Sequence, residues 1–262
     1  MINNTALVIN DSINFISQGK GGIGKSYVSQ ILSQYFMHYR LVETGVCDTD
    51  PVNASTARMK ALQATFIEIM QNDTILQSRF DSLFEAIINN ENTTFVIDNG
   101  ASTFIPMMKY FKDNDVINLF DEIGRPTFIH SIITGGQAQM DTIQGFIRTC
   151  ELVKGSNVKV IAWINEKDGI PTVETKSKDT RPLYGSAWFE RYSDNLAGIV
   201  NIVDRQSDAF TNDLKLLTEN NLTLEEAKQS SIFNIMQRTR LNKVFKDIYG
   251  QLDSIYDAQQ QG

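Results

Sequence analysis

The segment Gln18-Gly19-Lys20-Gly21-Gly22-Ile23-Gly24-Lys25-Ser26 limits what this chain can fold into more than any other feature. Its glycines let the backbone turn tightly and aim consecutive N–H groups at one point with no side chain in the way. From Gly19 to Ser26 it fits G-x-x-x-x-G-K-[ST], the phosphate-binding loop. Its setting agrees. The apolar run Ile13 to Ser17 reads as a strand, and Ser26 to Tyr39 reads as a helix with Val28, Ile31, Leu32, Tyr35 and Phe36 on one face. A strand, a glycine loop and a helix N-terminus in that order place the positive end of a helix against a bound anion. The bland alternative is a glycine turn with solvent-facing lysines, which has no need of that setting.

The rest of the chain alternates short apolar runs with amphipathic stretches, the pattern of a parallel sheet covered by helices. Strands are expected at 41–47, 94–97, 127–133, 158–164 and 197–203, with helices at 80–88 and 140–153 and mostly helix over 214–256. Thr223 is placed to cap a helix beginning at Leu224. The expected fold is α/β: a three-layer, mostly parallel twisted sheet with helices on both faces. Residues 1–262 form a single domain, with an N-terminal extension over 1–11, a loop or insertion over 166–185 and a C-terminal helical segment over 222–258.

Composition removes several function classes. The net charge of −7 gives no overall attraction to phosphate polyanions, so DNA binding is open but not favoured. Cys47 and Cys150 lie far apart, and His38 and His130 are the only histidines, so neither a zinc site nor a disulfide framework is expected. The start lacks a basic region followed by a long apolar run, and no stretch approaches about 20 apolar residues. The expectation is a cytoplasmic protein without a membrane span.

The strand ends carry the remaining chemistry. In a loop of this kind Lys25 reaches the β- and γ-phosphates of ATP and the Ser26 hydroxyl ligates Mg2+. The contacting segment runs through Gly19, Lys20, Gly21, Gly22, Ile23, Gly24, Lys25, Ser26 and Tyr27. Asp48 and Asp50 follow a strand two residues apart and so share a face; alone they also fit a polar turn closed by Pro51. Phe95-Val96-Ile97-Asp98-Asn99-Gly100 reads as a strand ending in a magnesium-organising Asp98, with Gly100 a hinge toward the γ-phosphate. Asn165 ends another strand and fits either a base contact or a turn residue.

The pattern K-G-G-x-G-K-[ST], with Lys20 as its extra cation, resembles the loop of the ParA/MinD-type ATPases, and Asp48-Thr49-Asp50-Pro51 resembles their D-x-D-P block. That resemblance implies that Asp48 and Asp50 help organise magnesium, with Ser26 and Asp98, and that Asp50 orients the attacking water. It also implies that Lys20 acts in trans, on the nucleotide of a facing subunit in an ATP-dependent homodimer. The chain departs from partition ATPases at Tyr27, Val52 and Asn99-Gly100. Over almost its whole length it resembles the TraL-type ATPases of conjugal-transfer operons instead, through Asp48-Thr49-Asp50-Pro51-Val52-Asn53-Ala54, Ile97-Asp98-Asn99-Gly100-Ala101-Ser102, Thr134-Gly135-Gly136-Gln137-Ala138 and Leu222-Thr223-Leu224-Glu225-Glu226-Ala227.

The resemblance implies a dimerising ATPase switch serving conjugative transfer with a conjugation or plasmid protein as partner. The alternatives are a ParA-like positioning module acting through non-specific DNA binding and a small-molecule kinase. Gln137 fits a partner or base contact, or only a turn. The stripe Leu241, Val244, Phe245, Ile248, Leu252 and Ile255 is expected to pack on the domain or along a dimer rather than on lipid, because Asp247, Asp253 and Asp257 share the polar face with the lysines.

Overall fold

The computed structural model describes residues 9–51, 53–71, 74–174 and 178–258. Val52 and residues 1–8 of the extension lie outside them. The elements are β1 (Ile13–Ile16), α1 (Lys25–Gln34), β2 (Thr44–Asp48), β3 (Thr65–Phe66), α2 (Gln77–Asn89), β4 (Thr94–Asp98), α3 (Phe104–Asp113), α4 (Val116–Ile123), β5 (Thr127–Thr134), α5 (Gln139–Leu152), β6 (Lys159–Asn165), β7 (Leu196–Ile202), α6 (Asp208–Glu219), α7 (Leu224–Gln229) and α8 (Ile235–Ala258).

Seven of the described strands form one parallel sheet in the order β7-β6-β5-β1-β4-β2-β3. β1 sits between strands reached in opposite directions along the sheet, which is where parallel sheets open a crevice at their carboxyl ends. Register brings the chemistry to that edge. Ile16, the last residue of β1, pairs with Asp98, and Asp98 pairs with Asp48. The glycine loop therefore leaves the sheet beside two carboxylates far from it in sequence.

Strand residues are buried on both faces, as a parallel sheet between helix layers requires. Phe15, Ile97 and Ile129 pack with Phe84 of α2, Phe111 of α3, Phe120 of α4 and Phe146 of α5. On the other face Ile16, Phe128, Trp163 and Val200 pack with Leu32 of α1, Leu217 of α6 and the α8 stripe. The three-layer architecture matches the sequence expectation.

Several local features differ from it. α1 ends early and continues as a π-helical turn, Tyr35–Arg40. This turn aims three donors at one carboxylate of α8: the Tyr35 and Tyr39 hydroxyls and Arg40 Nη1 reach Asp253 at 3.0, 2.8 and 2.7 Å. β3, α3 and α4 were not anticipated. β3 is two exposed residues long, and α3 carries Pro106 in its first turn, where a missing N–H costs no helical bond. The expected helix over 214–256 is three helices, broken at Asn221 with φ 50° and at Ser230. Thr223 caps α7 with its Oγ1 accepting from Glu226 N, while the Glu226 carboxylate accepts from Thr223 N.

All six residues of the C-terminal stripe are buried. α8 lies so close to β7 that a Cβ on Gly198 would meet Ile255 Cγ1 at 2.5 Å. No described helix is long and apolar enough to cross a membrane. His38 is exposed, whereas His130 is fully buried on β5. Trp163 Nε1 donates to His130 Nδ1 at 2.9 Å, so the neutral ring carries its proton on Nε2 toward Asn14 Oδ1 at 3.2 Å. Tyr256 of α8 donates to the same Asn14 oxygen at 2.7 Å.

Burial pushes His130 down to about 3. Its folded value lies below its unfolded one, near 6.5, so the unfolded chain takes up a proton that the native chain refuses. This contribution to stability is complete above pH ~6.5 and is lost as pH falls from there toward 3, at up to about 1.4 kcal/mol per pH unit. His130→Gln, which keeps an amide donor and acceptor but cannot titrate, is expected to flatten the fall of melting temperature between pH 6.5 and 4. Identical slopes for variant and wild type would show that His130 is already charged in the native state.

Candidate functional site

A glycine loop with unpaired N–H groups keeps its shape only if its ends are held. Gln18 holds the entry: its Nε2 donates to Ile132 O and Thr142 O, both at 2.9 Å, and its Oε1 accepts from Gly19 N at 2.9 Å. Gly145 of α5 makes the room, since a Cβ there would lie 1.8 Å from Gln18 Oε1. Asn165 holds the exit. Its Nδ2 donates to Ile23 O at 2.9 Å, and its Oδ1 accepts from Lys167 N at 3.2 Å. Gly24, with φ 97°, passes so near that any Cβ would meet the Asn165 amide nitrogen at 2.9 Å. The Asn165 side chain therefore does turn-capping and loop-holding work.

Both lysines of the loop are engaged. Lys25 Nζ folds back onto Lys20 O at 2.7 Å, and burial pushes its pKa down against the opposing pull of Asp98 and Asp50. Lys20 Nζ pairs with Asp141 Oδ2 of α5 at 2.8 Å in an exposed position. Tyr27 sits one residue past Ser26 with its ring partly buried. Burial also raises its hydroxyl, which has no hydrogen-bond partner among the described residues.

The carboxylates divide into different environments. Asp48 is fully buried, and its oxygens accept from the backbone N–H groups of Asp50, Thr56 and Ala57 at 3.1, 3.0 and 2.9 Å. Burial raises its pKa against those three bonds, with Asp50 adding to the rise. Asp98, equally buried, accepts from Thr56 Oγ1 at 2.7 Å. Burial pushes Asp98 up to about 7, and the neighbouring Asp48 adds to the rise. Hydrogen bonds from Thr56 and Ser26 and the charge of Lys25 oppose it. Such a carboxylate is short of positive charge, and the Ser26 hydroxyl stands beside it. An Mg2+ ion fits this donor set.

Asp50 is partly exposed, and its Oδ1 accepts from Asn53 N at 3.1 Å. The segment after β4 lies directly against it, for a Cβ on Gly100 would come within 2.9 Å of Asp50 Oδ1. Asn99 locks that segment to the loop floor, accepting from Thr49 Oγ1 at 3.0 Å and donating to Ile16 O at 3.2 Å. Cys47 is buried beneath, its thiol pushed up to about 11 by burial and the adjacent Asp48.

Sequence reading did not find Thr56, which bridges the two carboxylates, because it lies in a polar loop without periodicity. Nor does any sequence signal connect Lys20 with Asp141 in the first turn of α5, 121 residues away. The glycines of Thr134-Gly135-Gly136-Gln137 also have a use beyond a turn. A Cβ on Gly135 would lie 2.3 Å from Gly169 O, and one on Gly136, with φ 63°, 2.6 Å from Asp168 O. Gln139 adds a two-way pairing with the Thr172 backbone at 3.1 and 3.0 Å. Together they dock the insertion, a short turn at Glu166–Asp168 and a hairpin of Thr172–Glu174 with Thr180–Pro182. Gln137 itself is exposed.

No family model matches the chain. Among solved structures it is similar to a ParA family ATPase from Chlorobium tepidum, at 13% identity over 93% of this chain and 99% of that one, with a TM-score of 0.49. Two curated proteins named TraL, from Escherichia coli, are 34% and 32% identical to it over 243 residues, 92% of this chain and 97% of theirs. With identity of that level running through nearly the whole of both sequences, the chain belongs to the TraL family.

Proposed function

We propose that this protein is a slow, Mg2+-dependent ATPase that switches between monomer and ATP-bound homodimer and serves plasmid conjugal transfer from the cytoplasm, in concert with a conjugation or plasmid protein. The observation that carries the ATPase reading is the buried Asp98, raised to about 7 and hydrogen-bonded by Ser26, beside a glycine loop whose Lys25 ammonium donates to the Lys20 carbonyl. The conjugal role rests on membership of the TraL family.

In this reading the N–H groups from Lys20 to Ser26 cradle the β- and γ-phosphates, the Gly19 N–H stays on Gln18 Oε1 at the loop's entry, and Lys25 leaves Lys20 O to reach the phosphates. Mg2+, when bound, neutralises developing charge on the phosphates. Ser26 and Asp98 would hold it, while Asp48 shapes the loop that carries Asp50. Asp50 orients the attacking water, and its contact with Gly100 gives the γ-phosphate a way to move both loops together. Lys20, once free of Asp141, reaches the facing subunit's nucleotide, where a second cation offsets the charge of two triphosphates.

Lys25→Ala is expected to weaken ATP binding about 10- to 100-fold by titration calorimetry, the loss of a charge-assisted contact. Affinity within a few-fold of wild type would remove the phosphate-loop assignment. Asp50→Ala is expected to keep ATP affinity within a few-fold and to lose about 100-fold or more in turnover, because water positioning acts on the transition state. Collapse of binding with turnover retained would make Asp50 structural. In the Asp50→Ala background, light scattering is expected to show an ATP-dependent dimer that Lys20→Ala weakens and Asp141→Asn does not. A monomer under all conditions would end the dimer reading.

A further inference from the structure

Thr56 commits its two donors to two different carboxylates. Its N–H donates to Asp48 Oδ2 at 3.0 Å, and its hydroxyl donates to Asp98 Oδ2 at 2.7 Å. The residue is fully buried, so water does not compete for either bond. A threonine hydroxyl has one proton to give, and the branched Cβ restricts the directions in which it can point.

The two bonds have different requirements. Any residue except proline could supply the N–H that helps fold the loop around Asp48. Only a hydroxyl of this reach ties that loop to Asp98, at the strand end whose donor set fits a divalent cation. The loop is also tied to α1, because Gln30 Nε2 donates to Ser55 O at 3.1 Å. Asp98 thus receives a hydroxyl from each side: Ser26 from the first turn of α1 and Thr56 from the loop that carries Asp50. The terminal torsion of an aspartate is intrinsically loose. Two hydroxyls arriving from separate elements set the plane of its carboxylate, and such outer partners govern how well a ligand holds a metal.

We propose that Thr56 is a positioning residue for the metal site: its hydroxyl orients the Asp98 carboxylate toward the cation and makes the shape of the Asp50 loop depend on that cation. This rests on the phosphate-loop and magnesium reading above. The dependence runs both ways, since a loop that strengthens cation binding when it is ordered is itself ordered by the cation to the same degree. Cation binding and the placing of Asp50 are then one linked event, with Thr56 as the link.

The test uses the full chain with Thr56→Val, which keeps the shape and the N–H to Asp48 but lacks the hydroxyl, and Thr56→Ser, which keeps both donors. ATP binding is measured by calorimetry in Mg2+ and in EDTA, and turnover is followed against Mg2+ concentration. Thr56→Val is expected to raise the Mg2+ concentration for half-maximal turnover about tenfold or more, while ATP affinity in EDTA stays within a few-fold of wild type. Thr56→Ser is expected to restore the Mg2+ dependence to within a few-fold. Hydrogen exchange over 53–59 in the ATP-bound wild type is expected to slow when Mg2+ replaces EDTA, and in Thr56→Val it is not. Wild-type Mg2+ dependence in Thr56→Val, or equal losses of ATP affinity with and without Mg2+, overturns the proposal and leaves the phosphate loop in place. So does wild-type exchange over 53–59 that is the same in EDTA and Mg2+, a result that decides the matter even if valine destabilises the fold. Wild-type ATP binding and turnover that are both indifferent to Mg2+ remove the magnesium reading and this one with it.

Discussion

Two carboxylates buried side by side organise the carboxyl edge of the sheet. Asp48 and Asp98 are in register on neighbouring strands, and neither reaches solvent. A buried carboxylate is tolerable only if hydrogen bonds or a cation meet its charge. Asp48 is met by three backbone N–H groups, and the loop carrying Asp50 and Thr56 takes its shape from those bonds. Asp98 is met less well, by two hydroxyls and a lysine, and stays near 7. Because that value is raised above the unfolded one, the cost to the fold grows as pH rises from about 4 through 7. The site is thus electrostatically incomplete where a divalent cation would be most useful, and the loop glycines, Thr56 and Gly100 all close around that deficit.

The fold was legible in the sequence where one physical signal dominated. The glycine loop between a strand and an amphipathic helix fixed the class, and apolar runs ending in Asp48, Asp98 and Asn165 marked strands that the structure contains. Elements set by tertiary contact were not legible. β3 is two residues paired only with β2, and no local pattern announces it. The π turn after Gln34 exists because three donors converge on Asp253, more than 210 residues away in sequence. At the site, residue types read from the loop could be placed, but Thr56, the Gln18 anchor and the grip of Asp141 on Lys20 depend on contacts across 42, 114 and 121 residues.

The C-terminal helix shows how a sequence pattern and tertiary anchors divide the work of placing one element. Its apolar stripe packs against the sheet and α1, as amphipathic periodicity requires. Near its middle Val244 and Ile248 of the same stripe, with Asp247 beside them, line a cavity next to Gly24. The same helix is held at its C-terminal end by Asp253 on the π turn and by Tyr256 on Asn14.

The two loop lysines rest on very different supports, and magnitude decides what each support does. The Lys20–Asp141 pair is exposed, with side chains 44% and 60% accessible. Exposed pairs contribute about 0–1 kcal/mol. Such a contact parks Lys20 over α5 without resisting its transfer to a triphosphate. Lys25 is mostly withdrawn from water, its charge disfavoured by burial and offset by the Lys20 carbonyl and the charges of Asp98 and Asp50. On the proposed function an incoming phosphate would replace a backbone carbonyl at Lys25 and an exposed carboxylate at Lys20, while Gln18 and Asn165 keep the two ends of the loop in place.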